Sequence, residues 1–113
     1  MVVVGDSTNN RIRLITPGGV VTTLAGSGSF ASSNGVGVAA SFAGPRGLSI
    51  IPSTGVIVAA EAGSGCVRLV TLAGVVTTLS CGFDNPYSCS VIPSTGAVVV
   101  TDTMRNTVAA VSP

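Results

Sequence analysis

The side chains able to do chemistry are few in this sequence of 113 residues: five Arg, four acidic residues and three Cys, with no His and no Lys. Without His the chain cannot form a Ser-His-Asp or Cys-His nucleophile or the usual His-containing zinc sites. Without Lys it has neither a P-loop nor Schiff-base chemistry. The sequence therefore predicts no catalytic residue, no metal site and no cofactor, and favours a protein that is not an enzyme.

Three of the four acidic residues recur at one position of a sequence pattern, as Asp6, Glu61 and Asp102, each six residues before an aliphatic residue. Hard cations need six to eight oxygen ligands, which so few acids cannot supply. A recurring acid at the end of a strand is well suited to accept hydrogen bonds from loop N–H groups. We expect these three residues to be structural loop acids.

The three cysteines, Cys66, Cys81 and Cys89, have no metal-binding spacing. Cys66 opens one predicted strand and Cys81 follows the strand paired with it, so a Cys66–Cys81 disulfide is geometrically feasible and would require an oxidising compartment. Cys89 lies in a predicted strand and is expected to be a small buried hydrophobe. Between the two states, the sequence favours free thiols at all three positions.

The elements that carry these residues are predicted to be strands. Runs of four to six residues rich in Val, Ile, Thr and Leu alternate with turn clusters such as the Pro-Ser-Thr-Gly at 52–55. About ten strands are expected and no significant helix, with a single helical turn conceivable within 36–42.

No apolar run approaches the roughly 20 residues of a membrane span. The net charge of +1 and the scattered Arg residues argue against nucleic-acid binding.

The sequence repeats itself. Residues 49–56 recur as 90–97, an offset of 41, and residues 20–24 recur as 75–79, an offset of 55, so that 14 residues are inserted within 25–41. A period near 40 with four short strands in each unit is typical of a β-propeller blade. The four strands of the complete unit are predicted at 46–51, 56–61, 66–71 and 75–79.

The first unit also resembles a known family. It reads Val-Val-Gly-Asp6-Ser-Thr-Asn-Asn10-Arg-Ile-Arg-Leu-Ile, then Gly-Val-Val-Thr-Thr-Leu-Ala-Gly26, then Ala-Ser-Phe42-Ala-Gly-Pro-Arg-Gly-Leu48. These segments are similar to the NHL-repeat family, and the resemblance covers essentially the whole chain. It implies an all-β fold of four-stranded antiparallel propeller blades, commonly six to a ring, used mainly to bind proteins or RNA.

The expected domain is a single partial propeller of about two and a half blades over residues 1–113. Residues 1–24 form an incomplete first blade, 25–41 an inserted loop, 42–82 a complete blade and 83–113 an incomplete last blade. Such a set exposes the apolar faces of its terminal blades. Either the chain is a fragment of a longer propeller or several copies associate. For the chain by itself we expect the open faces to be buried against another copy and not exposed in an isolated monomer, because a small domain with open faces is marginally stable.

Five side chains are candidates for a binding surface at one end of the blades: Arg11, Phe30, Arg46, Tyr87 and Arg105. Arg and Tyr are common anchors of interfaces. The alternative is that these residues only cap strands and keep the surface soluble. The resulting prediction is a non-catalytic module for protein interaction or scaffolding, with a protein partner, a second copy or the rest of a longer propeller bound to it. The second hypothesis is a part of a propeller enzyme, a lyase or hydrolase, whose catalytic residues lie in blades outside this sequence.

Overall fold

The computed structural model describes residues 1–112, which form three antiparallel sheets. The first sheet has the order β1-β2-β3, with β1 at Val2–Asp6, β2 at Arg11–Ile15 and β3 at Val21–Ala25. The middle sheet has the order β4-β8-β7-β6-β5, with β4 at Gly35–Val36, β5 at Pro45–Ile50, β6 at Ile57–Glu61, β7 at Cys66–Val70 and β8 at Val75–Ser80. The third sheet has the order β11-β10-β9, with β9 at Pro86–Val91, β10 at Val98–Asp102 and β11 at Thr107–Val111.

Repeated turns connect the strands. The Pro-Ser-Thr-Gly cluster between β5 and β6 closes with the N–H of Gly55 donating to the carbonyl of Ile51 at 2.8 Å, and Gly96 repeats this bond to Ile92 between β9 and β10. Both glycines adopt positive φ angles, 75° and 74°. Glycine takes this conformation without steric cost, which explains why the cluster ends in Gly in both units.

The middle sheet is buried on both faces because the other two sheets pack against it. Ile57 and Ala59 face a cluster that includes Ile12 of the first sheet, whereas Val58 and Ala60 face a cluster that includes Val98 of the third. All five residues of β6 are buried, which accounts for its nearly continuous apolar sequence. Removing this apolar surface from water is the main stabilising contribution to the arrangement.

Strand β5 packs between β1 and β9, so the edges of the three sheets converge. A methyl group at Gly47 would lie 2.6 Å from the Cα of Ser88, and one at Gly5 would lie 2.8 Å from the carbonyl oxygen of Arg46. Both positions therefore need glycine to let two backbones approach. The close approach brings the beginnings of β5 and β9 side by side.

The all-β fold predicted from the sequence is confirmed, and the four strands of the complete unit lie within one residue of their predicted bounds. The inserted residues differ from expectation because they are not loop alone. Gly35 and Val36 pair with Val76 and Val75 as a fifth strand of the middle sheet. A single 3₁₀ turn, Gly37–Ala39, lies within the window where a helical turn was conceivable. Across residues 1–112 there is no helix of the length and apolarity that a membrane crossing requires.

The expectation of three free thiols is wrong for two of the cysteines. Cys66 and Cys81 form a disulfide, with their Cα atoms 4.0 Å apart. The cause is a register shift in the β7–β8 pairing, which sets Val67 opposite Ser80 and so places the two cysteines side by side. Cys89 is a buried free thiol, as expected, and burial raises its pKa to about 11.

Candidate functional site

Three of the five predicted surface residues line one cleft. Phe30, Arg46 and Tyr87 meet at a cavity of about 310 Å³. Small and amide side chains complete its wall: Gly44, Ala62, Gly63 and Asn85. The cleft lies where β5 and β9 begin and where the turn after β6 passes beside them.

Arg46 and Tyr87 occupy equivalent positions of the repeat, each directly after the proline that begins its strand. The guanidinium carbon of Arg46 lies 4.9 Å from the centre of the Tyr87 ring, and Nη1 donates to the Tyr87 hydroxyl at 3.4 Å. A cation over an aromatic face is attracted by the ring quadrupole. The pair is held close because Gly47 allows the two strands to approach. Tyr87 nevertheless remains 47% exposed, so its ring is accessible.

Phe30 comes from the inserted segment and forms another wall of the cleft. The residue is 69% exposed, although its backbone forms a bridge with that of Phe42. A methyl group at Gly63 would lie 2.5 Å from the Phe30 ring and 2.6 Å from the carbonyl oxygen of Ala43. Only glycine at position 63 therefore leaves room for the Phe30 ring to lie against this turn.

Within residues 1–112, Arg46 has no carboxylate partner. Three of the other arginines form ion pairs with acids: Arg13 with Asp6 at 3.2 Å, Arg68 with Glu61 at 2.6 Å and Arg105 with Asp102 at 3.9 Å. The guanidinium of Arg46 therefore presents an uncompensated positive charge at the cleft. The residues lining the cavity include no Asp, Glu, His or Cys.

The other two candidates do not line the cleft. Arg11 donates to the carbonyl oxygens of Asn9 and Ser27 at 3.4 and 3.3 Å, and its guanidinium covers Gly28. It therefore ties the inserted segment to the first sheet. Arg105 is exposed and its nearest charge is Asp102.

The recurring acids sit at strand ends and bind local groups. Asp6 accepts hydrogen bonds from the Asn9 side chain at 3.1 Å and from Arg13, and these lower its pKa. Asp102 accepts from the backbone N–H groups of Asp84 and Asn85, both at 2.9 Å. Although desolvation opposes the effect, these donors keep the pKa of Asp102 below its usual value.

Glu61 belongs to a buried network that sequence reasoning missed. Its partner Arg68 also donates to the Ser32 hydroxyl at 2.9 Å, the Ser41 carbonyl at 3.1 Å and the Asn34 side chain at 2.9 Å. The guanidinium lies 5.2 Å from the centre of the Phe42 ring. The network therefore fastens the segment that carries Phe30. A signal was present, because Glu61 and Arg68 repeat Asp6 and Arg13 at the offset of 55.

Comparison with known proteins identifies the fold. No protein-family model and no curated protein matches the chain. Among solved structures, an auxiliary nutrient binding protein of Bacteroides thetaiotaomicron is 14% identical with a TM-score of 0.81, over 94% of this chain and 33% of its own. A protein of unknown function from the same organism is 19% identical with a TM-score of 0.86, over 97% of this chain and 32% of its own. An auxiliary nutrient binding protein of Bacteroides ovatus is 16% identical with a TM-score of 0.78, over 95% and 33%.

These similarities mean that the chain shares an all-β fold with proteins of very different sequence. The chain spans about a third of the length of the solved structures that it matches. Because the identities are low, the similarity is one of fold, and the cleft has to be interpreted from its own residues.

Proposed function

We propose that the chain is part of an NHL-type β-propeller that binds a partner without catalysis, and that the cleft of Phe30, Arg46 and Tyr87 is its binding site. The repeat offsets of 41 and 55, together with three stacked sheets whose inner edges converge, support the propeller architecture. In this interpretation residues 1–24, 42–82 and 83–113 are blades and residues 25–41 are an insertion. The recurring acids are structural in each blade.

The observation that carries the binding proposal is that the guanidinium of Arg46 has no carboxylate partner and lines the same cleft as two exposed aromatic residues, Phe30 and Tyr87. An arginine fork recognises a carboxylate through two parallel hydrogen bonds. The rings of Phe30 and Tyr87 offer apolar contact area at low cost in side-chain entropy. A protein segment with an Asp, a Glu or a free C-terminus beside an apolar side chain has the matching chemistry.

A second candidate is a small nutrient molecule. Two of the structurally similar proteins are named auxiliary nutrient binding proteins, and a concave site with aromatic walls and a few polar groups also fits small ligands. The remaining alternative, a part of a propeller enzyme, places its catalytic residues in blades outside this sequence and not in this cleft. The cleft has no carboxylate, imidazole or thiol to act as acid, base or nucleophile.

The cleft contains its own spectroscopic probe, because Tyr87 is the single Tyr and the chain has no Trp. We would screen hexapeptides that contain one Asp or Glu, paired with Asn or Gln counterparts, by the change in tyrosine fluorescence. We expect acidic peptides to bind more tightly than their neutral counterparts by about tenfold or more, the size of a charge-assisted hydrogen bond.

The variant Arg46→Gln should remove this preference for acidic peptides, and Arg105→Gln, also an exposed arginine, should retain it. Equal binding of acidic and neutral peptides to the unmodified chain would contradict the proposal. A response to a panel of neutral sugars in the absence of any peptide response would favour the small-nutrient alternative.

A further inference from the structure

The first sheet has one covered face and one open face. Val3 and Leu24 pack with the buried Ile12 toward the middle sheet. The alternate residues of β1, Val2 and Val4, point to the other side and are exposed. Cross-strand pairing places further residues on this open face: Asp6, Arg11, Arg13, Ile15, Val21 and Thr23.

The open face repeats, residue by residue, a face that the middle sheet buries. At the offset of 55, Val2 corresponds to Ile57 and Val4 to Ala59, both of which are fully buried against the first sheet. Asp6 corresponds to Glu61 and Arg13 to Arg68 in the same way. The first sheet therefore presents to solvent the kind of surface that another sheet covers elsewhere in the molecule.

The ion pairs show what the open face lacks. The Arg68 and Glu61 side chains are 0% exposed, whereas those of Arg13 and Asp6 are 28% and 27% exposed. Arg13 donates to the Thr23 hydroxyl at 2.6 Å, and the equivalent Thr78 donates to Asn34 within the Arg68 network. Both sheets therefore contain the ion pair and the adjacent threonine. Only Arg68 also has hydroxyl and carbonyl acceptors from the segment that connects a neighbouring sheet to its own.

The third sheet has an open face of the complementary kind. Val99 and Thr101 lie on this open face. At the offset of 41 they correspond to Val58 and Ala60, whose side chains form the face of the middle sheet that packs on the third sheet. Pairing in the sheet adds Ser88, Ser90, Val108 and Ala110 to this face. These side chains are small, apolar or hydroxyl-bearing, and none is charged. They can cover valines and offer acceptors to Arg13.

We propose that the open face of the first sheet binds the open face of the third sheet of a second copy of this chain. The junction would repeat the packing that the chain already makes twice, between its first and middle sheets and between its middle and third sheets. The inference rests on the propeller architecture proposed above and not on the cleft. Two copies supply six sheets, within the roughly four to eight blades of known propellers, whereas three copies would supply nine. The expected assembly is a closed head-to-tail dimer with two identical junctions.

The test is the absolute mass in solution by light scattering during size-exclusion chromatography, over a hundredfold range of concentration. We expect a single species of twice the 11.0 kDa chain mass that does not grow further. Val4→Arg on the first sheet and Val99→Arg on the third should each give a monomer at concentrations where the unmodified chain is a dimer. Leu72→Arg, at an exposed site in the turn between β7 and β8 that belongs to neither open face, should remain dimeric.

Mixing the two variants distinguishes head-to-tail docking from other arrangements. A copy with Val4→Arg keeps an intact third sheet, and a copy with Val99→Arg keeps an intact first sheet, so their mixture retains one unaltered junction and should regain dimer at the highest concentration. Circular dichroism establishes that each variant is folded, and Val2→Arg replaces Val4→Arg if the latter unfolds.

A monomer at all concentrations would contradict the inference, and so would a dimer that persists in the Val99→Arg variant. A mass that rises with concentration without reaching a plateau would contradict a closed ring. The tyrosine response of the cleft to peptides is measured independently, so failure of one proposal leaves the other testable.

Discussion

At the scale of single residues, two ion pairs at equivalent positions differ in burial and so in their expected energetic weight. Glu61 and Arg68 are fully buried and linked to the inserted segment by three further hydrogen bonds. Asp6 and Arg13 are partly exposed and are linked to each other, to Asn9 and to Thr23. The same chemistry in one chain thus provides a matched comparison of a buried and a partly exposed pair.

We predict that Arg68→Ala lowers the free energy of unfolding by about 3–5 kcal/mol, because it leaves the Glu61 carboxylate buried without its cation. The matched variant Arg13→Ala should lower it by about 1 kcal/mol or less, since water solvates the remaining carboxylate. Urea unfolding followed by circular dichroism measures both values. Equal losses in the two variants would contradict the importance assigned to burial.

At the scale of elements, the strands follow from local sequence but the course of the inserted segment does not. Alternation of β-branched residues with Pro-Ser-Thr-Gly turns locates β5 to β8 within a residue. The pairing of Gly35 and Val36 with β8 is instead accompanied by a long-range contact, the hydrogen bond from Arg68 to the neighbouring Asn34. The repeat gives Arg46 and Tyr87 equivalent positions, so the sequence predicts that they lie at one site. The position of Arg11 depends on long-range contacts, so the sequence does not predict that Arg11 lies away from the cleft.

The disulfide also depends on the pairing register of two strands, which the sequence alone does not specify. A hairpin with regular pairing leaves open whether the two sulfurs meet, and the shift between Val67 and Arg68 brings them together. Cross-linking residues 15 apart in sequence restricts the unfolded chain more than the folded one.

We predict that reduction of the Cys66–Cys81 bond lowers the free energy of unfolding by about 3 kcal/mol, the loop-entropy value for a loop of this length. Urea unfolding with and without a phosphine reductant measures the loss. The double variant Cys66→Ala with Cys81→Ala should show no response to the reductant, which controls for an effect on Cys89. A loss of less than about 0.5 kcal/mol would contradict this role of the bond.

At the scale of the whole molecule, the repeat explains both what the chain completes and what it leaves open. The middle sheet has neighbours on both faces and is buried throughout β6, whereas the first and third sheets each have one. The exposed valines of β1 and the uncharged outer face of the third sheet are the two unmatched halves of one kind of interface. If copies join through them, part of the folding free energy comes from association and depends on concentration.

We therefore predict that the thermal midpoint of the chain rises by about 3 °C for each tenfold increase in protein concentration, as expected for a dimer of this size that unfolds to separate chains. Scanning calorimetry or circular dichroism over a hundredfold concentration range measures the shift. Val99→Arg should make the midpoint independent of concentration, because a positive charge on the third sheet prevents the junction without altering the packed core. Leu72→Arg should keep the dependence, since its site lies outside both open faces. A midpoint of the unmodified chain that stays constant over this range would mean that each copy folds alone, and that the open faces contribute nothing to its stability.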